Sequence, residues 1–409
     1  MDAGANWSGN VRYSARELHR PRSIGELRRI VAGSRRLRAL GSRHSFSAIA
    51  DTTGDLVDVT ALPREIEIDE DTQTVTVSAG TRYGELAPVL DAAGFALRNT
   101  GSLPHITVGG ATATGTHGSG NANGTLSSQV AAIEFVTVDG GTEVLRRGDD
   151  GFDGAVVHLG ALGVAVRLVL DLVPRYTVRQ SVYDGLAWSD VLERLDEVTG
   201  AAYSVSLFTE WTGDTFGMAW LKSVDEPPEE LLGRRPLSED IGLAGGSPSA
   251  TTVQRGIPGP WFERLPHFRL DFTPSNGDEL QSEYFVPRER GAEALEAVRS
   301  MAEDVSRVLL ISEIRTIAAD DLWLSGATGR DTMAVHFTWA PRVDEVVALL
   351  PRLEDRLLPL GARPHWGKVA HLTDVAPLYP RVDDYRALAD RFDPRGKLRN
   401  RWLDERLFR

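Results

Sequence analysis

Leu40-Gly41-Ser42-Arg43-His44-Ser45-Phe46-Ser47 and Val108-Gly109-Gly110-Ala111-Thr112-Ala113-Thr114-Gly115-Thr116-His117-Gly118-Ser119-Gly120 are the two stretches that decide the fold of this chain. The first follows a short apolar run, Leu37 to Leu40, which reads as a strand. The second lies inside Thr100 to Gly124, rich in glycine and threonine and poor in periodicity. Glycine lets backbone N–H groups approach an anionic ligand and adopt positive φ; the same residues also build plain tight turns. Neither loop is a Walker motif, since no Gly-Lys-Ser/Thr follows. Gly115, Gly118 and Gly120 lack the spacing and the βαβ setting of a dinucleotide fingerprint. Rossmann and P-loop proteins are therefore disfavoured.

Around these loops the N-terminal part mixes helices and strands. Ser23 and Glu26 have capping-box spacing, and Ile24, Leu27, Ile30 and Val31 repeat at helical intervals. Leu56 to Val59, Ile66 to Ile68, Thr74 to Val77 and Ala132 to Val138 read as strands, Tyr83 to Ala93 as a helix stopped by Gly94. A long apolar segment runs from Leu162 to Val173. Beyond Pro174 strand-like and helical segments alternate. Val224 to Pro260 is rich in Pro, Gly and Ser, which predicts a surface loop, a lid or disorder. Strands are expected at Phe268 to Phe272, Val308 to Ile317 and Thr332 to Trp339, and helices at Gly291 to Ser306 and Asp383 to Phe392. The reading is α+β, with domains at 1–175 and 176–371 and a C-terminal segment at 372–409.

The chain has 409 residues with a net charge of −13, which argues against nucleic-acid and anionic-membrane partners. No apolar stretch approaches transmembrane length and no secretory h-region opens the chain, so a cytoplasmic location is the expectation. There is no cysteine, which excludes disulfides, thiolate metal sites and a cysteinyl cofactor bond. His365 and His371 lack a carboxylate at ligand spacing, and no metal is expected. Only three of the 45 basic residues are lysines: Lys222, Lys368 and Lys397. Arg-favouring codon usage accounts for the scarcity, and each surviving lysine invites inspection.

Three segments place unlike polar groups among apolar neighbours. Ile311 to Ile317 sets Glu313, Arg315 and Ile317 on one strand face, and Met333 to Trp339 does so for His336 and Thr338. Pro364-His365-Trp366-Gly367-Lys368 sets a lysine beside a glycine. Taken singly, such residues also suit a solvated face or a core histidine.

Together, the two glycine loops and Gly160-Ala-Leu-Gly-Val-Ala-Val-Arg-Leu168 resemble the FAD-binding domain of the vanillyl-alcohol oxidase / p-cresol methylhydroxylase flavoproteins. Glu-Ile-Arg, His-Phe-Thr-Trp and His-Trp-Gly-Lys resemble the substrate-site segments of its alditol oxidase branch; the last is shared with sugar-lactone oxidases. The resemblance covers essentially the whole chain. It implies a two-subdomain FAD-binding domain, a substrate domain with a large antiparallel sheet, and a closing segment at Asp393 to Asn400. It implies FAD contacts at Gly41, Ser42, Arg43, His44, Ser45, Ser102, Gly110, Thr112, Ala113, Gly115, Thr116, His117, Gly118, Val164 and His365, with His44 bonded covalently to the flavin. It assigns polyol contacts to Ser102, Glu313, Arg315, Thr338 and Lys368, and catalysis to Lys368, His336 and Arg315. Either His336 or Lys368 would take the hydroxyl proton. Lys397 then reads as structural and Lys222 as a surface residue. The implied activity is oxidation of alditols to aldoses by a monomer, with O2 reduced to H2O2; Gly101 would leave room for O2. The alternatives are a sugar-1,4-lactone oxidase and a non-catalytic flavin- or polyol-binding protein.

Overall fold

The structure is a computed structural model describing residues 3–272 and 279–408. Its N-terminal part contains a small parallel sheet in the order Glu17–His19, Asp55–Asp58, Leu37–Leu40. Beside it lies an antiparallel sheet in the order Ile66–Asp69, Thr74–Ser78, Val164–Asp171, Val130–Val136, Thr142–Arg146. Ser23 caps helix Ile24–Gly33 by accepting from Glu26 N–H, but the Glu26 carboxylate reaches the Arg22 amide rather than that of Ser23. Helix Tyr83–Ala92 stops as expected, with Gly94 in the left-handed region at φ +87°. The glycine-threonine stretch contains a short helix, Val108–Ala113, that apolar periodicity did not reveal. It is too short, and too rich in small residues, to show a period.

The C-terminal part is built on an eight-stranded antiparallel sheet, in the order Pro258–Pro260, Thr177–Ala187, Thr215–Ser223, Ser204–Thr209, Leu309–Ile317, Thr332–Trp339, Leu280–Pro287, Arg363–Pro364. Alternation along each strand divides its faces. Tyr284, Val286, Ile314, Met333, Val335, Phe337 and Trp339 belong to one apolar cluster, which also takes the buried stripe Val346, Leu349, Leu350, Leu353 and Leu357 of helix Val343–Leu357. Burial of each such side chain contributes about 1.5–3 kcal/mol. The opposite face carries the polar residues, and the register sets Glu313, His336 and Glu283 side by side across three strands.

Three expectations are corrected. Phe268 to Phe272 forms no strand; Phe268 makes one isolated bridge to Thr251, and turns follow. The helix from Gly291 is broken into Gly291–Arg299 and Ala302–Ser306. Lys222 is not on the surface: it is 1% exposed, on an interior strand of the large sheet. The segment 224–260 is largely irregular yet packed, with Leu231, Leu243 and Ala250 buried and Pro258–Pro260 paired to Thr177–Arg179.

The C-terminal segment returns to the N-terminal part of the fold. Lys397 Nζ donates to the carbonyls of Val31 (2.8 Å) and Val138 (2.7 Å). Buried Arg38 donates to the carbonyls of Gly160, Leu398, Ile49 and Leu159. One guanidinium thereby ties the strand entering the loop to three distant segments. No helix among the described residues is long and apolar enough to cross a membrane.

Candidate active site

A cavity of about 480 Å³ lies where the polar face of the large sheet meets the two glycine loops. That volume falls within the usual range of ligand pockets. Backbone bonds hold the loops against the sheet and the turn that follows its last strand: Gly120 N–H donates to Thr316 O (2.9 Å) and Phe46 N–H to Gly367 O (2.7 Å). They also meet each other at Thr107, whose N–H donates to Ser42 Oγ (3.2 Å). A Cβ on Gly41 would stand 2.5 Å from Thr107 Oγ1, and one on Gly110 2.8 Å, so both positions require a close approach that only glycine allows comfortably.

Ser102, Glu313, Arg315, His336, Thr338 and Lys368 all line this cavity, as do Gly41 to Ser45, Gly110, Ala113, Thr116, His117 and His365. Thr112, Gly115, Gly118 and Val164 do not line it. Thr112 turns its hydroxyl back onto the Val108 and Gly109 carbonyls, and Val164 lies in a separate apolar cluster. Gly118 packs against Thr100 O and the Asn99 amide, and Gly115 makes a turn at φ +66°.

The residues present fit an FAD. Ser42, Arg43, His44 and Ser45 have backbone N–H groups that donate to nothing else among the described residues. His44 Nδ1 and Thr107 Oγ1 are buried without partners. These last two buried groups are costly unless a ligand satisfies them. The His44 ring stacks on Trp7 (centroids 5.5 Å apart), and burial pushes its pKa down to about 4, so it presents a neutral imidazole.

Four groups missed by the sequence reading complete the polar constellation. Glu283 is buried and accepts from Arg315 (2.8 Å) and from His117 Nε2 (3.1 Å). Gln281 Oε1 faces both Lys368 Nζ and His336 Nε2, the latter at 3.1 Å. His267 Nε2 lies 2.6 Å from Glu313 Oε1, and Lys222 Nζ 2.9 Å from His267 Nδ1. Arg315 also reaches Ser102 Oγ (3.2 Å) and Glu313 (3.5 Å). Gln281 and Glu283 share parity on one strand, a signal as legible as that of Glu313 and Arg315. His267 stands in an irregular segment and gave none.

Protonation follows from these contacts. Burial alone would push Glu313 up, but Arg315 and His267 hold it well below the usual carboxylate range. Glu283 is likewise held down against burial, by His117 and Arg315. Burial, then the Lys368 charge, lowers His336 to about 3. Since Gln281 Oε1 can only accept, the His336 proton sits on Nε2. The lone pair is on Nδ1, which is buried and unpartnered. Burial lowers Lys368 as well. The site therefore offers a neutral imidazole at His336, the cationic groups of Arg315 and Lys368 and the ionised carboxylates of Glu283 and Glu313, suited to binding hydroxyls and withdrawing a proton from one of them.

Comparison with known proteins identifies the family of the chain. Residues 16–146 match the FAD binding domain family, and residues 277–406 match the D-arabinono-1,4-lactone oxidase family. The chain is 46% identical to an alditol oxidase of a Streptomyces species, over 99% of both chains. It is 33% identical to an L-gulono-1,4-lactone dehydrogenase of Mycobacterium tuberculosis, over 95% of both. The fold is that of cholesterol oxidase from B. sterolicum, with a TM-score of 0.80, 14% identity, and coverage of 99% of this chain and 96% of that one. Xylooligosaccharide oxidase from Myceliophthora thermophila is also similar, with a TM-score of 0.74, 15% identity, and coverage of 97% of this chain and 92% of that one. The chain belongs to the alditol oxidase family of FAD-dependent oxidases, built on the vanillyl-alcohol oxidase fold.

Proposed function

We propose that this protein oxidises the terminal primary hydroxyl of alditols such as xylitol and sorbitol to the aldose, with O2 reduced to H2O2. The observation that carries the reading is the polar face of the large sheet, which sets Glu313, Arg315, His336 and Thr338 beside Lys368 and opposite Ser102 in one cavity. A polyol is uncharged and rich in hydroxyls, so it needs several donors and acceptors held in place. Glu313 accepts from substrate hydroxyls, and Ser102 and Thr338 can both donate and accept. FAD, when bound, supplies the hydride acceptor and the route for electrons to O2. His336 Nδ1 takes the hydroxyl proton, because Gln281 occupies the other ring nitrogen. Lys368 and Arg315 stabilise the alkoxide charge that develops as the proton leaves.

His44 is the proposed point of covalent attachment, consistent with its neutral, unpartnered Nδ1 in a chain without thiols. Gly101 is proposed to leave a path for O2. A Cβ there would make only ordinary contacts, 3.4 Å from Ile106 and 3.7 Å from Thr116, so an alanine would be accommodated and would narrow that space. Anaerobic xylitol should bleach the flavin, and aerobic turnover should yield one H2O2 per aldose; turnover with a dye but none with O2 would overturn the oxidase assignment. The match of residues 277–406 to the D-arabinono-1,4-lactone oxidase family supports lactone oxidation as the second reading. Side-by-side assays with sorbitol and gulonolactone separate the two.

A further inference from the structure

Lys222 is fully buried in a chain with only three lysines, and it touches no ligand surface. Its Nζ donates to the Leu265 carbonyl and contacts His267 Nδ1 at 2.9 Å. His267 Nε2 in turn contacts Glu313 Oε1 at 2.6 Å, with Ser206 Oγ 3.4 Å away. The His267 ring is clamped between Phe208 and Trp220, both edge-on at 5.5 and 5.4 Å. A line of three side chains therefore runs from the sheet interior to the cavity wall, ending on the carboxylate assigned to the polyol.

The hydrogen-bond inventory allows one arrangement of protons along this line. Glu313 is ionised beside Arg315, so the nitrogen facing it must donate. His267 is neutral, because burial and then the Lys222 charge lower its pKa to about 4. Its single proton is thus on Nε2, and Nδ1 accepts from Lys222. Burial lowers the ammonium itself to about 7, yet the charged and the neutral amine both have an N–H to give. Oε1 of Glu313 is engaged by His267 and Arg315, and Oε2 has no partner among the described residues.

We propose that Lys222 and His267 are positioning residues: Lys222 fixes the His267 tautomer, and His267 holds Glu313 so that Oε2 is presented to a substrate hydroxyl. This rests on Glu313 being a polyol contact, as in the reading above. Lys222 lies outside the cavity, and His267, although it lines the wall, has both ring nitrogens engaged by Lys222 and Glu313, so loss of the relay should appear in binding rather than in the chemical step.

The test uses FAD-loaded enzyme in four forms: wild type, Lys222→Met, His267→Leu and His267→Gln. Lys222→Met and His267→Leu should raise KM for xylitol about tenfold, the effect of losing one charge-assisted hydrogen bond, with kcat within about twofold. His267→Gln carries an amide N–H toward Glu313 and should stay within about threefold of wild-type KM. A wild-type KM in Lys222→Met, or equal damage from Gln and Leu at position 267, overturns the relay. A second measurement needs no variant activity: 15N NMR of histidine-labelled wild type should show His267 protonated at Nε2 and bare at Nδ1 near neutral pH. The opposite tautomer, or an imidazolium, also overturns it. Wild type that fails to oxidise xylitol while His267 shows the expected tautomer would instead sink the polyol assignment, so the two failures are distinguishable.

Discussion

Replacing Gln281 by Glu adds a negative charge at the one oxygen that touches both Lys368 and His336. In the native site His336 is held to about 3 by burial and by the Lys368 charge, with Glu283, Arg315 and Glu313 as the remaining charged neighbours. A neutral imidazole base is therefore available throughout the ordinary assay range. A carboxylate 3.1 Å from Nε2 favours the imidazolium. Coulomb's law at that separation gives about 5 kcal/mol at an effective dielectric of 20 and about 1.3 kcal/mol in bulk water. At 1.36 kcal/mol per unit, the His336 pKa should rise by roughly 1 to 4 units, to between about 4 and 7. The proton goes to Nδ1, the atom assigned to the substrate hydroxyl, so the base is lost as pH falls through this new value. Anaerobic stopped-flow reduction of the flavin by xylitol, followed from pH 3.5 to 9, reads the effect directly. Wild type should show no loss of rate from His336 above about pH 4.5, whereas Gln281→Glu should acquire an acid limb inside the window. A correctly folded, FAD-loaded variant whose profile superimposes on that of wild type would refute the role given to His336 Nδ1.

His44→Ala should release yellow colour into the supernatant on acid precipitation, whereas wild-type colour stays with the pellet; free flavin from wild type would end the covalent assignment. Arg315→Met leaves Glu313 and Glu283 buried without their guanidinium and should cost about 3–5 kcal/mol of stability. Denaturant unfolding checks this, and a midpoint equal to that of wild type would count against the ion-pair network. His158, His336 and His365 are each lowered to about 3, with burial the first cause, against an unfolded value near 6.5. The unfolded chain then binds protons that the native state refuses, so their contribution is intact above about pH 6.5 and is lost as pH falls toward their native values. Each costs up to about 1.4 kcal/mol per pH unit in that window. Calorimetry should show the melting temperature falling between pH 7 and pH 5; a constant value would contradict burial of neutral histidines.

The cavity wall shows why some residues were legible in advance and others were not. Glu313, Arg315, His336 and Thr338 announce themselves because a two-residue period places unlike polar groups on one face of an apolar strand. Gln281 and Glu283 obey the same period, but the strand Leu280–Pro287 that carries them is not among those expected from the sequence. Lys222 misleads for a different reason. A lysine at the end of a strand is ordinarily solvated, and only the neighbouring strands and the 265–267 carbonyl and imidazole make its burial tolerable.

What the sequence determined by itself is local: the glycines that admit close approach at 41 and 110, the strand period that sorts polar from apolar faces, and the absence of any thiol. Those properties belong to single residues and their immediate neighbours, and no distant segment can alter them. Which groups meet was decided only by tertiary structure. Glu283 reaches His117 across 166 residues and Arg38 reaches the Leu398 carbonyl across 360. The protonation of His267 and His336 depends on partners brought in from other strands and loops. A pKa responds to burial and to charges within a few ångströms, and the folded chain alone sets those distances.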